Sequence, residues 1–204
     1  MNEKQATLSS KLVLLSIVFV ASLLTATTLA LIVGGGAKPF VLLDPGELVR
    51  WGLPMARAIM NVAMATAIGA LVVAAFVFAE ASKQLRTVMN IAAVASIVWV
   101  LAGLLSLNFT YLNITGTAFT LEQNQGAGFW QFVTQIELGQ YLALNLAGGV
   151  LVSILAIASQ RLTAAALTAA VAFLSLVPMA LTGHASGTAN HGMAVNSLGL
   201  HLLG

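Results

Sequence analysis

Apolar runs long enough to cross a lipid bilayer recur along this chain and leave few folds open to it. A hydrocarbon core about 30 Å thick requires roughly 20 apolar residues of helix at about 1.5 Å rise each. Leu12 to Val33 is such a run, with Lys11 before it and Gly34-Gly35-Gly36 after it. A cleaved signal peptide carries an apolar stretch of only about 7–15 residues, so this run reads as a retained helix. Further spans are expected at 54–78, 87–107, 139–158 and 162–181, the second opening on Pro54 as a first-turn proline. An incomplete sixth run occupies 194–204, about half the length needed to cross, and reads as a truncated helix. The expected fold is all-α: a polytopic transmembrane helical bundle of five complete spans plus a truncated sixth, forming one membrane domain over 1–204.

Composition agrees. The chain of 204 residues is 59 % hydrophobic and 7 % charged, which excludes a water-soluble surface. Eight Lys+Arg against six Asp+Glu are too sparse for a phosphate-tracking groove, so no nucleic-acid partner is expected; the lipid bilayer is. With no cysteine there is no disulfide, thiolate cluster or cysteine nucleophile. Phosphate-loop, nucleophile-elbow and H-E-x-x-H signatures are missing, and an enzyme is not indicated.

Basic residues orient the bundle. A cytoplasmic N-terminus places Lys4, Lys11, Lys83, Arg86 and Arg161 inside, and Lys38, Arg50 and Arg57 outside. The stretch from Asn108 to Gln135 lacks lysine and arginine and reads as a long external loop; its sequons at Asn108 and Asn113 read as chance matches. Gly103, Gly139, Gly148 and Gly149 are placed for close helix approach.

Candidate ligands gather toward the end of the chain. His184, His191 and His201 all fall in its last 21 positions, after a fifth helix that Pro178 should bend or break. Imidazole suits copper, zinc, iron and nickel, while thioethers select the cuprous ion, so Met179 and Met193 tilt the reading to copper. The opposing reading is a solvated loop, since histidine spacings of seven and ten match no fixed metal pattern. Glu137, Tyr141 and Asn145 recur every four residues on the fourth span; Glu137 reads as a ligand or proton relay, or as a hydrated acid at headgroup level. Met60 and Met64 stack at i,i+4 beside a stripe of Arg57, Asn61, Ala65 and Gly69, as a thioether relay or as packing, with Arg57 snorkelling to headgroups.

The segment Gly183-His184-Ala185-Ser186-Gly187, with Asn190-His191-Gly192-Met193 and Leu200-His201-Leu202-Leu203, resembles the copper-resistance D (CopD) membrane domain. Trp51-Gly52-Leu53-Pro54-Met55-Ala56-Arg57 resembles members in which that domain is fused to a cytochrome c oxidase assembly domain of the CtaG type. The resemblance implies copper binding and transport at the bacterial plasma membrane, with His184, His191 and His201 matching the family's histidine positions. Met179, Met193 and Glu137 join that set by placement alone. Family members continue past the Leu-His-Leu-Leu step, so a missing C-terminal domain is an expected partner, as is a respiratory oxidase or its assembly factors. Two rivals remain: a non-transporting accessory or assembly factor for a copper-containing oxidase, and a membrane b-type cytochrome.

Overall fold

A computed structural model describes residues 3–120 and 126–180. It consists of α1 (Glu3–Val33), α2 (Glu47–Val77), α3 (Lys83–Thr115), α4 (Gly126–Gln135), α5 (Glu137–Ala158), α6 (Leu162–Leu174) and α7 (Val177–Ala180). Five stretches are long and apolar enough to cross a membrane: Leu14–Val33, Glu47–Val77, Lys83–Thr115, Glu137–Ala158 and Leu162–Ala180. The incomplete run at 194–204 lies outside the described residues.

The bundle packs alanines through its core beside a set of large side chains, and many large aliphatic residues face outward. Its core holds Ala63, Ala74, Ala92, Ala102, Ala156, Ala165 and Ala172 around Trp99, Met60 and Met89. Val94, Leu104, Ile154, Leu167 and Leu174 point outward. In lipid the tails are as apolar as leucine, so helix association relies on close backbone approach and interhelical hydrogen bonds. Gly148 shows the need most sharply: a Cβ there would run into Oγ and Cβ of Ser175. Gly103, Gly139 and Gly149 likewise sit against Leu146, Phe132 and Trp99, as their positions in the sequence suggested. α1 stands apart; it meets the bundle chiefly along α2, and its span from Leu14 to Val33 has no buried residue.

The helix ends differ from expectation in four places. Pro54 does not open the second span but lies inside α2, which starts at Glu47 after the Pro45-Gly46 breaker, with Gly46 at φ 86°. Polar Glu47 and Arg50 are accommodated in this first turn because Glu47 is exposed and Arg50 is paired, donating to Ala37 O and to both carboxylate oxygens of Asp44. α3 begins at Lys83 under a Ser82 cap that accepts from Leu85 N, and runs on to Thr115, where Gly116 ends it at φ 63°. Asn108 and Asn113 therefore lie in α3, and the expected loop from Asn108 to Gln135 is largely helical, since α4 fills its far half. Phe109 and Leu112 account for the extension, packing on Val49, Leu53 and Ala56 of α2. Fourth, fifth and first spans end near the expected positions, with the first starting earlier, at Glu3.

Candidate functional site

The last described span breaks, and the break organises the interior. Pro178 has no N–H to offer Leu174 O, so α6 ends at Leu174 and a separate turn, α7, carries Met179. Across the gap Leu176 N bonds Phe173 O at 3.0 Å and Met179 N bonds Leu176 O at 2.9 Å. The Ser175 carbonyl is taken up instead by a side chain from α5: Asn145 Nδ2 donates to it at 2.8 Å. Ser175 Oγ turns back to Val171 O at 2.8 Å.

Asn145 is 2 % exposed and is the hub of this interior. Trp99 Nε1 donates to its Oδ1 at 3.0 Å. An indole N–H is donor-only, so this contact fixes which end of the amide is oxygen and leaves Nδ2 to donate. Its second donation is to the sulfur of Met64, 3.7 Å away. One carboxamide thus joins α2, α3, α5 and the α6–α7 break. All its partners are satisfied, which is what makes such a group tolerable at membrane depth. Trp99 is at the middle of α3 and Met64 near the middle of α2, roughly 20–26 Å from either end at 1.5 Å per residue.

Beside this hub lies a cleft of about 560 Å³ between α2 and the broken span. Asn61, Met64, Ala65, Ile68 and Gly69 form one wall; Phe173, Leu176 and Met179 form the other. Met60, one turn from Met64, is buried in the core, and its Sδ would lie 3.7 Å from a Cβ on Gly103. Arg57 lies in the third turn of α2, where Nη2 donates to Thr110 Oγ1 at 3.1 Å instead of simply reaching outward from a helix end. Thr110 Oγ1 in turn donates to Ser106 O at 2.6 Å. The Ser106 hydroxyl is fully buried with no hydrogen bond.

Of the expected metal ligands, Met179 lines the cleft and is half-buried. Glu137 is exposed in the first turn of α5, where the helix dipole favours an acid, and it does not line the cleft. His184, His191, Met193 and His201 lie outside the described residues. Among the described residues no group of three His, Asp or Glu side chains converges on a metal-sized point. Along the face of α5 that carries Glu137, Tyr141 and Asn145 burial deepens from the helix start: Glu137 is exposed, Tyr141 half-buried and Asn145 buried. Sequence reasoning singled out Asn145 only as a neighbour of Glu137 and gave Trp99 no role. The available signal was a lone carboxamide in an apolar span, which needs a partner.

Outside the spans, Asp44 is the perturbed acid. Its hydrogen bonds from Arg50, opposed by desolvation and aided by the guanidinium charge and the Gly46 and Phe40 amides, hold its carboxyl below the ordinary value of 3.8.

The fold and its interior define a multi-pass helical membrane protein with a polar hub and, beside it, a thioether-lined cleft that reaches toward the end of the last described span. The sequence profile of the copper resistance protein D-like, N-terminal domain matches residues 42–194, from the loop before α2 to beyond α7. The chain belongs to that family. Neither the curated proteins nor the solved structures contain a significant match to it.

Proposed function

We propose that the protein captures copper at the outer face of the bacterial plasma membrane and passes it inward through the bundle, as a carrier and not an enzyme. The observation that carries this reading is membership of a copper-resistance family across α2 to α7. With the N-terminus inside, Glu137 and Ala180 fall at the outer end of the bundle, and His184, His191, Met193 and His201 follow Ala180 in the sequence. Those residues are the proposed capture set, with Met179 next along the path and Glu137 as a carboxylate at its rim. Copper is the cargo. Passage requires binding weak enough for the ion to leave, which favours ligands exchanged in sequence over one closed cage.

The cytochrome alternative is disfavoured because the five described spans contain no histidine, whereas bis-imidazole haem needs histidines on facing helices. Copper stoichiometry of the purified protein, compared with a variant carrying His184→Ala, His191→Ala and His201→Ala, tests the capture step. The expected result is loss of an equivalent of copper from the variant; unchanged stoichiometry overturns it. An accessory role in assembling a copper-containing oxidase would instead show as co-purification with oxidase subunits, with no copper bound by the chain itself.

A further inference from the structure

We infer that Met64 and Met179 form a transit site for the cuprous ion within the membrane, in the cleft between α2 and the broken α6–α7 span. The inference rests on the copper-carrier reading and deepens it by naming the oxidation state carried and the ligands met in the interior.

The two thioethers belong to opposite walls of one cleft. Met64 is near the middle of α2 and Met179 one residue from the outer end of the last span, so the cleft runs from that end toward the hydrocarbon interior. Its sulfur is positioned, not merely packed: Asn145 Nδ2 holds it at 3.7 Å, and Trp99 and the Ser175 carbonyl hold Asn145. A thioether has two lone pairs; accepting one hydrogen bond leaves the other for a metal. Met179 is presented by α7, the turn that exists because Pro178 interrupts the span. Asn61, on the Met64 wall, adds an amide oxygen as a weak third donor.

This donor set has a definite preference. Thioethers select Cu(I) among the metals a bacterial membrane meets, and among the described residues that line the cleft none is a carboxylate or an imidazole. Charge points the same way. The Born cost of entering a low dielectric rises with the square of the charge, so a monovalent ion costs about a quarter as much as a divalent one of equal size. Neutral ligands at this depth therefore suit Cu(I) and reject Cu(II) and Zn(II). Two thioethers and one amide oxygen bind loosely enough for release, as a transit site requires.

The test uses the full chain in lipid nanodiscs, loaded anaerobically with Cu(I) and read by X-ray absorption at the copper edge and by competition with a chromogenic chelator. An outer variant (H184A, H191A, H201A and M193L) removes the proposed capture ligands; M64L/M179L removes the cleft thioethers at nearly constant volume. Sulfur scattering is expected to persist in the outer variant. In M64L/M179L one Cu(I) equivalent is expected to weaken at least tenfold, and in the two sets combined sulfur scattering disappears. Only nitrogen and oxygen scatterers in the outer variant, or undiminished Cu(I) affinity in M64L/M179L, overturns the site. The outer variant keeps Met64, Met179 and Asn61, and single M64L and M179L variants each keep one thioether, so the result does not depend on the double variant folding. Loss of copper from the outer variant alone would leave the capture reading standing and remove the cleft; the converse would remove capture and leave the cleft.

Discussion

Replacing Asn145 by leucine is the sharpest probe of the interior. Leucine keeps much of the volume and belongs in a membrane, so on hydropathy alone the change should be harmless or stabilising. The network predicts the reverse. Trp99 Nε1 and the Ser175 carbonyl, bonded to Asn145 at 3.0 and 2.8 Å, would both be stranded. A stranded buried polar group costs about 1–3 kcal/mol in soluble proteins, and interhelical hydrogen bonds in membranes are worth about 0.6 kcal/mol on average and up to about 1.7. Two bonds of good geometry place the expected loss at roughly 1–3 kcal/mol. Reversible unfolding in mixed micelles of rising dodecyl sulfate content, followed by circular dichroism, measures it. Trp99→Phe in the Asn145→Leu background should cost less than in the wild type, by about 0.6–1.7 kcal/mol, because no indole N–H is left unpaired. A leucine variant within about 0.5 kcal/mol of wild type, with additive effects at the two sites, would refute the hub.

Other consequences follow from single contacts. Gly148→Val drives a branched side chain into Ser175 and should destabilise the same transition by about 1–3 kcal/mol, while Gly69→Ala, which meets nothing within 4 Å, should be nearly neutral. Ser106→Ala removes a buried hydroxyl that has no partner, so unfolding should show no loss and a gain of up to about 1 kcal/mol. Asp44 has a folded pKa below its ordinary 3.8, so the stability it adds is fully present above that value and fades as pH falls through the lowered folded pKa. Asp44→Asn should accordingly be less stable than wild type at neutral pH, with the two converging in acid titrations of unfolding once the pH has fallen through the lowered folded pKa of Asp44.

Much of the architecture is legible in the sequence because length and apolarity are local properties. Val33, Ala158 and Leu162 bound their helices as expected, and the break before Pro178 is where its missing N–H puts it. Helix ends failed where a tertiary contact overrode the local signal. Phe109 and Leu112 prolong α3 through residues that read as loop, because they have α2 to pack on. The polar hub was hidden for a different reason. Spans such as α3 and α5 are apolar on every side, so periodicity does not say which face is turned inward. That Trp99, Asn145 and Met64 meet depends on helix rotation and order, and neither is written in any one span. Met60 and Met64 read in the sequence as packing ahead of a thioether relay; the structure separates them, one facing Gly103 in the core and the other bonded to Asn145 at the edge of the cleft.

Cellular copper content is the most direct measure of the central claim. Under copper limitation, cells lacking the protein should hold less copper than cells expressing it. Re-expression of the native chain should restore the level, and the His184→Ala, His191→Ala, His201→Ala variant, present in the membrane at equal abundance, should not. Equal copper in all four strains would contradict copper carriage by this bundle.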